Sequence, residues 1–110
     1  MSLLAMVMPI LPGKKDAWLA AIEQMKSAEV KPSVDSSREE AGVHERTFLQ
    51  ETPNGDFVII TYEGDNPAES FGKIMANLPE DFAEFVKDVH GLDVAAPPPR
   101  LPNLVYDSRS

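Results

Sequence analysis

Two histidines, one arginine and two aromatic side chains are the residues of this sequence whose types and positions suit ligand binding or acid–base chemistry. Along the segment Val43–Thr52, His44 and Arg46 are two positions apart, so they project from one face of a predicted strand with Phe48 and Gln50. A base beside a fixed cation would suit an anionic or enolate-forming ligand. The alternative is that both side chains lie at a strand edge and pair with acidic neighbours.

His90 stands at the predicted C-terminus of the last helix, where the helix dipole favours a cation and the ring can meet exposed carbonyl groups. With Asp93 close in sequence, His90 is alternatively an oriented general base. Trp18 and Tyr62 join an aromatic body to a polar group, which suits a pocket wall and equally suits the core. We therefore predict His44 and His90 as catalytic residues and Arg46, Tyr62 and Trp18 as ligand-binding residues.

Composition excludes several classes of protein. The formal net charge is -8 and the Lys and Arg residues are scattered, so the basic patch that nucleic-acid binding requires is absent. With no cysteine and only two histidines, we predict no disulfide, no metal site and no cofactor. The apolar opening Leu3–Leu11 is too short to span a membrane and lacks the basic start of a signal peptide. We expect a cytoplasmic protein with no membrane partner.

The elements that position these residues begin with a strand and a helix. Leu3–Leu11 is a continuous apolar run that predicts a buried strand, and Pro9 within it indicates an edge position in a sheet or a bulge near the end of the strand. From Lys14 onward, apolar residues recur every three or four positions, which predicts an amphipathic helix that Pro32 stops.

A short second helix is predicted within the polar residues 32–42. Its N-terminus is capped by Asp35, Ser36 or Ser37, because these side chains accept hydrogen bonds from free backbone N–H groups. Gly42 ends it, since glycine readily adopts the left-handed conformation that closes a helix.

A β-hairpin follows. Residues 52–55, Thr-Pro-Asn-Gly, combine a proline that presets φ with a glycine that accepts a positive φ. Val43–Thr52 therefore pairs with Phe57–Glu63. The second of these strands is apolar on both faces, with Phe57 and Ile59 on one side and Val58, Ile60 and Tyr62 on the other.

The C-terminal half predicts two helices, a strap and a last strand. Residues 66–69, Asn-Pro-Ala-Glu, give an N-cap, a proline at the first helical position and an acid at the third. A second helical segment begins at Pro79 and ends at Gly91. Residues 95–103 are rich in proline and form an extended strap, after which Leu104–Tyr106 is a short strand.

The order of these elements predicts one α+β domain over residues 1–110. Strand, helix, strand, strand, helix, strand is the pattern of ferredoxin-like folds, in which helices cover one face of a four-stranded antiparallel sheet. Because two strands are apolar on both sides, the second face also needs a cover. We predict that a second copy covers it, which gives a homodimeric α+β barrel. The alternative is that residues 32–42 or the proline-rich tail cover this face within a monomer.

With this architecture the chain resembles the dimeric α+β barrel superfamily, which includes antibiotic-biosynthesis-type monooxygenases. More narrowly it resembles a family of uncharacterised bacterial proteins, and the resemblance covers nearly the whole chain. The stretches that carry it are Leu11 to Lys14, Ser37-Arg38, Gly42, Leu49 to Phe57, Tyr62 to Pro67, and His90 to Asp93. The resemblance implies the fold and the possibility of a pocket between sheet and helices. It transfers no catalytic motif residue by residue.

Two functional hypotheses follow from the sequence. In the first, the protein binds a small, partly apolar molecule between sheet and helices, and acts as a cofactor-independent monooxygenase or isomerase. In the second, it is a non-catalytic dimeric module for protein–protein interaction. A cavity of roughly a few hundred Å³ lined by one or two of the candidate polar side chains favours the first hypothesis, and a close-packed centre favours the second.

Overall fold

The computed structural model describes residues 2–96 and 100–109, and within them the chain forms an α+β fold of three strands and four helices. A helix pair separates the first strand from the hairpin, and a second helix pair follows the hairpin. The elements are β1 (Ser2–Ile10), α1 (Lys15–Met25), α2 (Lys31–Ala41), β2 (Val43–Thr52), β3 (Gly55–Gly64), α3 (Pro67–Ala76) and α4 (Glu80–His90). The α+β class is confirmed, and the antiparallel sheet with its helices is compatible with a ferredoxin-like fold.

The sheet has the strand order β1-β3-β2, and both pairs of neighbours are antiparallel. The prediction that the strand containing Pro9 lies at an edge is confirmed. Strand alternation divides the side chains between a covered face, which carries the helices, and an open face. Leu4, Tyr62 and Glu45 lie in one row on the covered face, because β3 pairs Tyr62 with both of the others.

The hairpin and the third helix form as predicted. β2 ends at Thr52 and β3 begins at Gly55, whose φ of 129° is a conformation that favours glycine. The Asn66 side chain accepts a hydrogen bond from the backbone N–H of Glu69, and its amide donates to the Glu69 carboxylate at 2.9 Å. These reciprocal bonds cap α3 at the position that the sequence indicates.

The second helix differs from its prediction at the N-terminus. It begins at Lys31, so Pro32 lies in its first turn. The prediction that Pro32 stops the first helix is wrong, because α1 already ends at Met25. A first-turn proline loses no helical hydrogen bond, and its fixed φ suits the helix. Asp35 and Ser36 consequently lie inside the helix. Gly42 ends α2 with φ 75°, as predicted.

The core consists of two clusters of buried apolar residues between the sheet and the helices. The first contains Leu4, Met6, Tyr62 and Ile74, with Leu101 packed against it. The second contains Ile10, Trp18, Val58 and Val89. Ile60 touches both clusters and lies at their junction.

The prediction of a fourth strand over Leu104–Tyr106 is wrong. Within residues 100–109 the structure has no strand, and Leu104, Val105 and Tyr106 are 77%, 92% and 78% exposed. A strand of three residues gains few ladder hydrogen bonds, whereas ordering its backbone costs about 1–2 kcal/mol per residue. The predicted strap over residues 95–103 includes residues 97–99, which lie outside the described part.

None of the helices that the structure describes is long and apolar enough to cross a membrane.

Candidate functional site

A cavity of about 100 Å³ lies between the covered face of the sheet and the helices, in contact with both core clusters. We call it the inner cavity. Its wall is mostly aliphatic, thioether and aromatic, and the polar side chains in it are few. These polar members are Arg38, Glu45, Thr47, Tyr62 and His90.

The inner cavity adjoins a larger depression of about 870 Å³ between the helices, which we call the helix cleft. Side chains of all four helices line the cleft. Residues common to the two walls include Met25, Arg38, Ile74 and Phe82, so the cleft lies directly outside the cavity. A molecule entering from solvent through the cleft would therefore pass Arg38.

One polar group of the inner cavity is built on Glu45. Arg38 of α2 donates from Nε to Glu45 Oε1 at 2.6 Å, and Thr47 donates from Oγ1 to Oε2 at 3.1 Å. The side chains of Arg38 and Glu45 are only 18% and 13% exposed. The cross-strand partner of Glu45 is Tyr62, so the phenol and the carboxylate are neighbours on the covered face. The carboxylate thus lies where α2, β2 and β3 meet.

Tyr62 is held in its protonated form. Burial is the main cause that raises the pKa of its hydroxyl, because the charged phenolate would lose its hydration. The nearby Glu45 carboxylate raises the pKa further, and the Arg38 guanidinium lowers it by less. At neutral pH, Tyr62 is therefore a hydrogen-bonding group and not a base.

The second polar group is the imidazole of His90, at the C-terminus of α4. The residue is 7% exposed, and Nδ1 lies 2.7 Å from the backbone carbonyl oxygen of Pro9 on β1. Burial lowers the pKa of His90 below its ordinary value, and the hydrogen bond to Pro9 opposes that change. The ring is therefore neutral at neutral pH. Because a carbonyl oxygen only accepts, Nδ1 carries the proton and Nε2 keeps a lone pair.

The structure brings three of the predicted site residues to the inner cavity: Trp18, Tyr62 and His90. Trp18 is 7% exposed and also belongs to the second core cluster, so it serves the wall and the core together. Asp93 is not placed to orient His90, because its carboxylate accepts from the backbone N–H of Ala95 at 2.9 Å. Pro9 takes the orienting role instead.

His44 and Arg46 lie on the other side of the sheet. Both are exposed on the open face, and neither belongs to the described wall of the inner cavity. Arg46 is 3.6 Å from Glu63 of β3, its neighbour across the strands. The structure thus separates this pair from Tyr62 and His90 by the thickness of the sheet. The predicted roles of both residues stay predictions.

The open face carries an apolar patch toward one end. The register places Val7 of β1, Ile59 of β3 and Phe48 of β2 side by side, and Val7 and Phe48 are 58% and 51% exposed. Toward the other end the face is more polar, with His44, Arg46 and Glu63, and Leu3, which is 61% exposed, pairs with Glu63. The described tail residues do not cover the open face, since Leu3 and Val7 stay exposed.

Arg38, Glu45 and Thr47 belong to the site although the sequence did not lead us to predict them. The signal for Glu45 was present in the hairpin turn, because closing β2 and β3 at Thr52 and Gly55 fixes Glu45 opposite Tyr62. Arg38 had no such signal, since its position depends on where α2 packs. No group of three or more His, Asp or Glu side chains in the described residues is arranged to hold a metal ion.

Comparison with known proteins gives no family by which to interpret this site: no family model, no curated protein and no solved structure matches the chain.

Proposed function

We propose that this protein binds a small, partly apolar molecule in the inner cavity, with access through the helix cleft. The observation that supports the proposal is the placement of Tyr62 and His90 in the wall of a mostly apolar cavity that adjoins a larger depression. Apolar walls with a few convergent polar groups are the usual construction of small-molecule sites. The inner cavity, at about 100 Å³, is smaller than the few hundred Å³ that the sequence-based hypothesis expects, so a ligand of ordinary size would also occupy the helix cleft.

The volumes limit the size of this molecule. An apolar cavity of about 150 Å³ accommodates benzene, so the inner cavity, at about 100 Å³, takes a smaller body unless the wall adjusts or the ligand extends into the helix cleft. Larger ligands of the usual size need about 300–1,000 Å³ and would extend into the helix cleft.

His90 supplies the chemistry in this proposal. Its neutral ring, fixed through Nδ1 by the Pro9 carbonyl, presents the lone pair of Nε2 as a general base. Removing a proton from a bound carbon acid would begin an isomerisation. The same step would begin a cofactor-independent oxygenation, in which the carbanion formed is then oxidised by molecular oxygen. His44 and Arg46 have no part in this proposal because they face away from the cavity.

Binding in the inner cavity is tested by filling it. Ala21 lines both the cavity and the cleft, whereas its neighbour Ala20 is exposed on the same helix and belongs to neither described wall. We expect Ala21→Phe to weaken the binding of cyclohexanol, followed by NMR titration, at least about tenfold, and Ala20→Phe to leave it unchanged. Equal binding by both variants, or no binding of any small apolar probe to the parent protein, would contradict the proposal.

A second candidate function rests on the open face. We propose that two copies pack these faces together into a homodimeric α+β barrel, with or without a ligand. The supporting observation is the apolar patch of Val7, Ile59 and Phe48, because monomeric proteins rarely leave large apolar patches to water. The polar residues beside the patch fit the usual rim of an interface.

The dimer is tested by light scattering after size exclusion, over a hundredfold range of protein concentration. We expect Phe48→Glu to produce a monomer that retains its circular dichroism spectrum. The control is Leu19→Glu, which places the same charge at an exposed apolar position on α1 and should leave the mass unchanged. A parent protein that is monomeric at every concentration would contradict the dimer proposal and would leave the ligand-binding proposal unaffected.

A further inference from the structure

The ring hydrogen of His90 is already committed within the protein, which leaves an acceptor for a bound molecule. At His90 the proton resides on Nδ1 and is donated to the Pro9 carbonyl oxygen at 2.7 Å. Among the described residues this is the hydrogen bond that the ring makes. The remaining capacity of the imidazole is therefore the lone pair of Nε2, which accepts and does not donate.

The carboxylate of Glu45 also offers acceptors. Thr47 donates its hydroxyl hydrogen to Oε2 of that carboxylate at 3.1 Å, and Arg38 donates to Oε1. What Thr47 and Glu45 can still offer a bound molecule are lone pairs, which accept. Tyr62, which faces Glu45 across the two strands, can accept or donate.

Two further described residues of the cavity wall have donors to offer, Trp18 through its indole N–H and Arg38 through its guanidinium. The Nε of Arg38 is bound to Glu45 at 2.6 Å, and its Nη1 donates to the Ser37 hydroxyl at 3.1 Å. The positive charge is thus balanced at contact distance by a carboxylate that is 13% exposed. An anion approaching Arg38 would also approach Glu45, so the pair gives an anion little net attraction.

We propose that the inner cavity selects a neutral, mostly apolar molecule that carries a hydrogen-bond donor, of the alcohol class, over a carboxylate or a molecule that only accepts. This inference rests on the proposed function and deepens it. The donor satisfies Nε2 of His90 or the oxygens around Glu45. A molecule with a carbonyl, ether or carboxylate in the same position would instead set lone pair against lone pair.

Three matched probes test the inference on the purified full chain. Cyclohexanol and methoxycyclopentane are isomers, so they have the same atoms, and only the alcohol donates a hydrogen bond. Cyclohexanecarboxylate adds the negative charge. We expect NMR titration to give a dissociation constant for cyclohexanol about three- to tenfold below that of methoxycyclopentane, with the carboxylate weakest.

Two variants assign the preference to its acceptors. Tyr62→Phe removes the phenol oxygen and keeps the ring, and His90→Asn keeps a donor near the Nδ1 position while removing Nε2. We expect at least one of them to abolish the preference for the alcohol. Their controls are Tyr106→Phe and His44→Asn, the same changes at exposed positions outside the described cavity wall, which should retain it.

The outcomes separate the two proposals. Equal binding of the two isomers, or tighter binding of the carboxylate, would overturn the donor preference while leaving a ligand-binding cavity in place. A preference that survives in both Tyr62→Phe and His90→Asn would also overturn it, because the alcohol would then be recognised elsewhere. Failure of all three probes to bind the parent chain would remove the proposed function together with the inference.

Discussion

Both faces of the sheet carry apolar residues, but those of the covered face are buried and several of those on the open face are exposed to solvent. On the covered face, Leu4 and Tyr62 are 8% and 3% exposed, whereas on the open face Leu3 and Phe48 are 61% and 51% exposed. Leu3 and Leu4 are adjacent in the same strand, so local sequence does not distinguish them. The difference comes from where the helices pack. Burial by the chain itself explains the apolar residues of the covered face only.

The charged groups on the two faces differ in the same way. Glu45 and Arg46 are consecutive, and each forms an ion pair. Glu45 meets Arg38 at 2.6 Å with both side chains less than one fifth exposed, while Arg46 meets Glu63 at 3.6 Å with both at least 40% exposed. A shielded pair is structural and shapes the cavity, whereas a pair in water contributes little to stability.

The comparison is tested most strongly by placing a charge on each face. Val58→Asp, at a position 1% exposed, should destabilise the fold by about 4 kcal/mol or more, because the carboxylate has no partner there. Val7→Asp, at 58% exposed, should change the stability of the monomer by about 0.5 kcal/mol or less. Urea unfolding at low protein concentration measures both. Similar losses in the two variants would mean that the open face is also covered within the monomer.

Double-mutant cycles sharpen the comparison for the ion pairs. For Arg38–Glu45, we expect Arg38→Met alone to lower the free energy of unfolding by about 2 kcal/mol. The substitution leaves a mostly buried carboxylate without its cation. For Arg46–Glu63, the coupling energy should be about 0.5 kcal/mol or less, and it should fall further at high salt. A coupling at Arg46 that equals or exceeds the one at Arg38 would reverse our assignment of the two faces.

The smallest expected effect is the pH dependence from His90. Its folded pKa lies below the ordinary value of 6.5, chiefly because burial disfavours the charged ring. As pH falls below 6.5, the unfolded chain takes up the proton first, so stability decreases until the folded pKa is passed. Above pH 6.5 the ring is neutral in both the folded and the unfolded chain, and the stability no longer changes with the titration of His90.

His90→Asn should remove this slope, and His44→Asn, its counterpart on the open face, should leave it in place. Urea unfolding between about pH 5 and 7.5 measures it, above the range in which most carboxylates titrate. A slope that persists in His90→Asn would show that another group is responsible.

Much of the fold could be predicted because its signals are local. The Thr-Pro-Asn-Gly turn and the Asn66 cap act within four residues, and strand alternation sorts the faces of β3 without reference to any other element. Pro32 misled the prediction because a proline is compatible with both the end of one helix and the first turn of the next. Leu104–Tyr106 has strand-forming residues, but their pairing depends on a partner that composition does not specify.

The candidate site was predictable only in part, for a related reason. Tyr62, Trp18 and His90 were found because aromatic and imidazole side chains are rare in this chain. His44 and Arg46 were grouped with them by residue type, yet only packing decides which face of β2 meets the helices. Glu45 resembled an ordinary surface acid until the register placed it beside Tyr62 and the packing of α2 placed it beside Arg38.

The attachment of helix α2 bears on how fast a bound molecule would leave the inner cavity. It forms part of the wall of the helix cleft, yet none of its residues is buried. Its tertiary attachments include the Arg38–Glu45 pair and the hydrogen bond from the Ser70 hydroxyl to the Ala41 carbonyl at 2.6 Å. Elements without fully buried residues open at a lower free-energy cost than the core. For the ligand proposed above, we expect the residence time to follow how often α2 detaches and the affinity to follow the cavity beneath.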